Sequence, residues 1–193
     1  SLAALPAGST VGTASLRRQA QLLRRRPDLR VVPLRGNANT RIARLDAGEV
    51  DATLLALSGL QRIGLADRAT EILPPAIMLP AVGQGALAVE CRAADTALRE
   101  LLAPLHDPRS AACTDAERAM LAVLDGSCHT PIAGYAQLDG EQLTIDGLLL
   151  TPDGSAAIAA RRSGPMVAAV ALGAALGGEL RRRAGPQFGL NPI

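Results

Sequence analysis

The side chain in this sequence best suited to binding an anion is arginine, and it is concentrated near the start of the chain. All 20 basic residues are arginine, and nine of them lie in residues 17–44, where Asp28 is the one acid and the segment charge is +8. A guanidinium binds a carboxylate or a phosphate through two parallel hydrogen bonds. We expect Arg24–Arg26 to lie on a solvated helix face. An anion site is expected from the arginines that stand beside Gly, Ser, Thr and Asn, which are Arg17, Arg18, Arg35 and Arg41.

Cys128 is the second residue that could do chemistry. It lies in a Gly/Ser turn beside His129, directly after a predicted helix. An exposed cysteine near cations can have a lowered pKa and act as a nucleophile, although a single cysteine can equally be structural. Cys91 and Cys113 are expected to be packing residues. No CxxC spacing occurs, and two histidines with scattered cysteines do not predict a metal site.

Several function classes are excluded or disfavoured by composition and motif context. The absence of lysine excludes a Schiff-base lysine and a Walker A phosphate loop. Val82–Ala88 (VGQGALA) matches GxGxxA, but it precedes a predicted strand instead of following one, so we expect a tight turn and no dinucleotide site. The apolar stretches are broken by Pro and Gly, so we expect no membrane span, and the first residues do not resemble a signal peptide. The cysteine pattern does not predict a disulfide scaffold, so a reducing cytoplasm is the simplest compartment.

The elements that must position the arginines alternate between strand and helix. Strands are predicted at Ser9–Thr13, Arg30–Leu34 and Asp51–Leu57, and helices at Leu16–Arg26, Thr40–Ala47 and Ser58–Ile63. This alternation predicts a parallel sheet with crossover helices. Strand ends and helix N-termini then meet at a crevice, where the free N–H groups of the helix that begins near Ser15 add positive potential.

The second half of the chain predicts a different architecture. Leu73–Gln84 is rich in Pro and Gly and is expected to be a crossing or hinge, and Ala86–Glu90 is expected to be a strand. Two helices follow, at Ala94–Leu105 and Arg109–Leu124. A three-stranded antiparallel meander and a closing helix complete the chain, at Ile132–Leu138, Gln142–Leu150, Ala156–Arg162 and Met166–Arg183.

Blocks of sequence along nearly the whole chain resemble the porphobilinogen deaminase (hydroxymethylbilane synthase) family. They are VGTASLRRQAQL at Val11–Leu22, the stretch Arg26–Leu65 with its LRGN block, LPAVGQGALAVECR at Leu79–Arg92, DAERAMLAVLDGSCHTPIAGYA at Asp115–Ala136, and the PDG turn at Pro152–Gly154. Their order and their combination are highly specific.

The resemblance implies an α/β fold with a first part like type II periplasmic binding proteins and a small C-terminal α+β domain with a three-stranded antiparallel sheet. The implied divisions are residues 1–85 (domain 2 with the hinge), 86–106 (a return segment of domain 1) and 107–193 (the cofactor-attachment domain). We expect the N-terminal domain, with the family's catalytic Asp, to be absent from this chain. Strand Ala86–Glu90 would then lack its sheet partners, and the chain alone is expected to be inactive.

The resemblance also implies a reaction, a cofactor and partners. Four porphobilinogen molecules are deaminated and joined into hydroxymethylbilane on a dipyrromethane cofactor, which a thioether would hold at Cys128. Cofactor contacts are implied at Thr13, Ser15, Arg17, Arg18, Arg35 and Gly36, and substrate contacts at Arg17, Arg35, Arg41 and Arg62. The implied partners are porphobilinogen, the growing oligopyrrole and the N-terminal domain, in a protein that is monomeric when intact, with no metal and no catalytic residue in this chain.

Two other functions stay open at this stage. A noncatalytic module could bind polycarboxylates in the same cleft without a covalent cofactor. Nucleic-acid binding through the +8 segment is disfavoured, because the sequence has only Tyr135 and Phe188 as aromatic residues for base stacking.

Overall fold

Three short parallel strands form the first sheet of the computed structural model, which describes residues 1–125 and 130–190. The strands are β1 (Thr10–Gly12), β2 (Arg30–Val32) and β3 (Ala52–Thr53), in the order β2-β1-β3. They alternate with α1 (Leu16–Arg25), α2 (Ala38–Asp46) and α3 (Leu57–Arg62). The prediction of a parallel sheet with crossover helices is therefore confirmed.

Side-chain caps fix where the first two helices begin. The Ser15 side chain accepts a hydrogen bond from the N–H of Arg18 and so caps α1, while Asn37 accepts from the N–H of Thr40 at 2.9 Å and caps α2. The second helix thus begins at Ala38, two residues before its predicted start. Short polar side chains at these positions explain why each strand-to-helix turn ends where it does.

The sheet and α1 enclose a small aliphatic core. Its buried members are Val11, Leu22 and Leu29, and partly buried side chains pack against them at Leu2, Leu5, Val31, Ala52, Leu54 and Met78. Leu22 is the residue through which α1 joins this core.

The C-terminal part is an antiparallel sheet covered by two helices. Its strands are β4 (Ile132–Asp139), β5 (Gln142–Leu150) and β6 (Ala157–Pro165). They pair in chain order, which confirms the predicted antiparallel meander. The helices α5 (Pro108–Leu124) and α6 (Ala169–Arg183) lie against it. They approach closely because Gly173 has no side chain: a Cβ there would overlap the carbonyl of Ala116. The sheet and both helices share one apolar core.

The predicted strand at Ala86–Glu90 is wrong, since this segment is irregular and pairs with no strand in the described part of the chain. Its apolar side chains point outward, with Leu87 87% exposed and Val89 63% exposed. The alternation of the segment suits a strand, but a strand forms only where a neighbour accepts its hydrogen bonds. The helix that follows, α4, is short (Thr96–Leu102), and a single 3-10 turn continues it over Ala103–Leu105.

None of the helices in the described ranges is long and apolar enough to cross a membrane. The likeness to type II periplasmic binding proteins and the three domain boundaries stay predictions.

Candidate functional site

A polar cavity of about 320 Å³ opens where β1 passes into α1. Its lining consists of Thr13, Ala14, Ser15, Arg17, Arg18 and Arg41. Five of these six residues are ones that the sequence singled out. The structure therefore brings together the two hydroxyl side chains and three of the arginines that we expected to form one site.

The turn from β1 to α1 is held by its own polar atoms. Thr13 is 3% exposed, and its N–H donates to the carbonyl of Val32 at 2.9 Å. Its Oγ1 accepts from the N–H of Ser15 at 3.2 Å. Gly12 precedes the turn, and a Cβ there would lie 2.7 Å from a methyl of Leu34. These contacts fix the direction in which α1 leaves the sheet, and so where its first arginines point.

Arg17 and Arg18 are anchored by uncharged acceptors. The Nη1 of Arg17 donates to the carbonyl of Leu79 at 2.6 Å, and its Nη2 donates to Oε1 of Gln84 at 3.1 Å. The Nη1 of Arg18 donates to the carbonyl of Leu54 at 2.8 Å. Because these partners carry no charge, both guanidinium groups keep their full positive charge.

Arg41 is oriented by the loop that precedes its helix. Its Nε donates to the carbonyl of Gly36 at 2.8 Å. Gly36 adopts φ +118°, a conformation that L side chains rarely adopt, and a Cβ there would lie 2.9 Å from Thr40. Gly36 thus serves the site through its backbone, which lets the loop turn so that Arg41 reaches the cavity.

The electrostatics of the cavity favour an anion. Burial, and then repulsion from Arg18, lowers the pKa of Arg17 to about 10. Burial, and then repulsion from Arg41, lowers the pKa of Arg18. Within the described residues none of these three arginines forms an ion pair, whereas Arg26, Arg44 and Arg68 each pair with an acid. An anion in the cavity would relieve this repulsion.

Arg35 and Arg62 do not line this cavity. Both are exposed; Arg35 follows β2, and Arg62 lies at the end of α3. Their proposed role in binding stays a prediction.

A second and larger cavity, of about 400 Å³, shares Arg17 and Arg18 with the first. Most of its lining is apolar, with Val11, Leu22, Leu60 and Met78 among the contributing side chains. Sequence reasoning missed this cavity because it depends on how the irregular residues after α3 fold back. It also missed Gln84, whose only sequence signal was its place in the VGQGALA turn.

Cys128 and His129 lie outside the described residues. The elements on either side of them are described: α5 ends at Leu124 and β4 begins at Ile132. Cys113 is half-buried against the C-terminal core, as predicted, and burial followed by the charge of Glu117 raises its pKa. Within the described ranges, no group of metal-ligating side chains occurs.

The fold is an α/β unit with an arginine-lined cavity, joined to a small α+β unit. Residues 1–100 match the family model for "porphobilinogen deaminase, dipyromethane cofactor binding domain", and residues 111–182 match "porphobilinogen deaminase, C-terminal domain". The chain belongs to the porphobilinogen deaminase family, which confirms the resemblance seen in the sequence.

Curated relatives agree with this assignment. The chain is 51% identical to the porphobilinogen deaminase of Nitrobacter winogradskyi and 52% identical to that of Nitrobacter hamburgensis, each over 188 residues. The match covers 97% of this chain and 60% of each relative. The chain therefore spans less than two thirds of the length of these proteins.

Proposed function

We propose that this chain supplies the cofactor-binding cleft and the cofactor-attachment segment of a porphobilinogen deaminase. The proposed enzyme of tetrapyrrole biosynthesis is a transferase that deaminates four porphobilinogen molecules and joins them into hydroxymethylbilane. The observation that carries this proposal is the cavity where Arg17, Arg18 and Arg41 converge, with no acid in its lining and no ion pair to any of the three among the described residues.

The donors around the cavity suit the carboxylate arms of a dipyrromethane. Three guanidinium groups and the hydroxyl of Ser15 offer charged and neutral donors to the same volume, and Thr13 supports the turn. The family model that matches residues 1–100 is named as the domain that binds the dipyrromethane cofactor. When bound, the cofactor supplies the anchored end to which porphobilinogen units are joined.

The arginines would hold each added unit. Every porphobilinogen brings an acetate and a propionate, so negative charge accumulates as the chain grows. Each charge-assisted bond between a guanidinium and a carboxylate contributes roughly 1.5–3 kcal/mol. Arg35 and Arg62 are proposed to extend the set of binding arginines beyond the cavity. Gly36, whose carbonyl accepts from Nε of Arg41, is proposed as a cofactor contact through its backbone.

Cys128 is the proposed attachment point, through a thioether. The proposal rests on its place in the GSCHTP block, where the resemblance puts the cofactor cysteine. A covalent link answers a physical need, because a product that is built in several additions must not diffuse away between them. No metal is needed for this attachment.

The proton-transfer chemistry is assigned to an N-terminal domain outside this chain. Support comes from the large apolar side chains of residues 86–105 that are exposed in the described part of the chain: Leu101 is 75% exposed and Leu105 is 69% exposed. Such a surface is typical of one that another part of a protein covers. We propose that this domain completes a cytoplasmic, monomeric enzyme, and that the present chain alone does not turn over porphobilinogen.

Intact-mass measurement tests the attachment. The purified chain should carry an adduct of dipyrromethane mass, and Cys128→Ser should lose it. The matched control is Cys91→Ser, which changes another cysteine of the same chain and should keep the adduct. If the adduct survives Cys128→Ser, the attachment site is wrong. If no adduct forms but small polycarboxylates bind reversibly, the chain is the noncatalytic module instead.

A further inference from the structure

The segment of residues 79–84 lies between α1 and the C-terminal sheet, and it is bonded to both. We call it the bridge. On the α1 side, the amide of Gln21 holds the bridge through two hydrogen bonds. On the C-terminal side, Glu117 and the N–H of Gly134 hold it. Two hydrogen-bond acceptors of the bridge face Arg17. The proposed function assigns a role to Arg17 but none to the groups that orient it.

Gln21 fixes one end of the bridge. This side chain is 4% exposed, and its Oε1 accepts from the N–H of Leu79 at 2.7 Å. Its Nε2 donates to the carbonyl of the same residue at 3.0 Å. The amide thus pairs with both backbone groups of Leu79, as a neighbouring strand would. A buried side chain bonded in this way leaves the Leu79 carbonyl little freedom to move.

The other end is fixed from the C-terminal part. The buried carboxylate of Glu117, on α5, accepts from the N–H of Gly83 at 2.6 Å and from the N–H of Ala136, on β4, at 2.7 Å. The N–H of Gly134 donates to the carbonyl of Pro80 at 3.1 Å. One carboxylate therefore ties the bridge to a helix and to a strand at once.

Two acceptors of the bridge meet the guanidinium of Arg17. They are the carbonyl of Leu79, at 2.6 Å from Nη1, and Oε1 of Gln84, at 3.1 Å from Nη2. That oxygen of Gln84 also accepts from the N–H of Ala81 at 3.2 Å, which holds the amide in place. Of the five donors of a guanidinium, Nε–H and two terminal N–H groups remain for a ligand.

We propose that Gln84 and Gln21 are positioning residues for carboxylate binding, which they control by holding the guanidinium of Arg17 between the two bridge acceptors. This rests on the proposed function, in which Arg17 binds carboxylate arms. The neutral amide is essential at position 84: it accepts one N–H without neutralising the cation, so the charge stays available to a ligand. An acid at the same place would take the guanidinium for itself.

The test compares Gln84→Glu and Gln84→Ala in the full chain, with propane-1,2,3-tricarboxylate as the probe and titration calorimetry as the readout. The carboxylate of Gln84→Glu should pair with Arg17 and weaken probe binding about tenfold. Gln84→Ala removes one acceptor and should weaken binding about threefold. The charge-matched control is Gln137→Glu, on the exposed face of β4, which should bind the probe as the unmodified chain does.

A double-mutant cycle separates positioning from a structural effect. In the Arg17→Ala background, Gln84→Glu should cause no further loss of affinity, because its effect acts through the missing guanidinium. Gln21→Met, which keeps the volume but removes both bonds to Leu79, should weaken binding in the unmodified chain and much less in the Arg17→Ala background.

The possible failures are distinct. Unchanged probe affinity in Arg17→Ala would overturn both the proposed carboxylate site and the positioning role. A loss in Arg17→Ala without a loss in Gln84→Glu would overturn the positioning role alone. Equal losses in Gln84→Glu and Gln137→Glu would show that net charge acts instead of the contact with Arg17.

Discussion

Replacing Arg18 with alanine should separate ligand binding from the stability of the free protein. The Arg18 side chain makes one described hydrogen bond, to the carbonyl of Leu54, and it lies among other cations. Its burial and its repulsion by Arg41 both disfavour its charge, which is why its pKa is lowered. The side chain therefore adds little to the stability of the free fold, and its charge serves the cavity.

The magnitude follows from what is removed. Losing one charge-assisted bond to a carboxylate costs roughly 1.5–3 kcal/mol, which weakens binding by a factor of roughly 10 to 150. Removing Arg18 also removes the repulsion between Arg17 and Arg18 that a bound anion would offset, which places the expected loss toward the upper end of that range. The melting temperature should stay level, because the lost hydrogen bond and the relieved repulsion oppose each other.

Titration calorimetry with propane-1,2,3-tricarboxylate measures the affinity, and thermal denaturation measures the stability. The matched control is Arg44→Ala, which removes an arginine from the same basic segment. Arg44 pairs with Glu49 at 2.7 Å and does not line the cavity, so this variant should bind the probe almost normally. Equal loss of affinity in the two variants would refute the reasoning, since binding would then follow net charge and not the cavity.

Two further predictions concern the contacts between the two parts of the chain. Gly154→Ala should lower the free energy of unfolding by about 1–3 kcal/mol, since its Cβ would lie 2.5 Å from the carbonyl oxygen of Ala20 at φ +73°; Gly140→Ala, at φ +55° with open space around it, is the control in thermal denaturation. Equal effects of the two substitutions would show that backbone strain, and not the contact with α1, is responsible. Burial raises the pKa of Glu117, so the stability that its proton contributes is complete below the pKa of the unfolded chain and is lost as the pH rises through the folded value. Urea denaturation between about pH 4 and 7 should therefore show unmodified protein losing stability relative to Glu117→Gln as the pH rises, and a constant difference would contradict the assignment.

The first sheet could be predicted because its signals are local. A short apolar run followed by a helix recurs three times, and Ser15 and Asn37 cap the first two of those helices as short polar side chains are expected to do. The position of the arginine site could be predicted from the same pattern, because parallel strands end at one edge of a sheet. Arg17, Arg18 and Arg41 meet there although more than twenty residues separate the first from the last.

The remaining features depend on partners distant in sequence. Leu87 and Val89 alternate as in a strand, but no described strand accepts their hydrogen bonds. Gln84 contacts a guanidinium 67 positions earlier, and no local pattern predicts that pairing. Glu117 would be expected on the solvated face of a helix, yet it is 5% exposed and bonded to two backbone N–H groups. Such contacts become visible only when the chain is folded.

The geometry of the cavity depends on the C-terminal part as much as on the sheet that carries the arginines. One face of α1 receives the Pro152–Gly154 turn, where Gln19 donates to the carbonyl of Pro152 at 3.3 Å. A second contact is made by residues 79–84, which Glu117 ties to α5 and β4. A helix held at two places cannot rotate about its axis without breaking one of these contacts. The direction in which Arg17 points is thereby linked to α5 and β4.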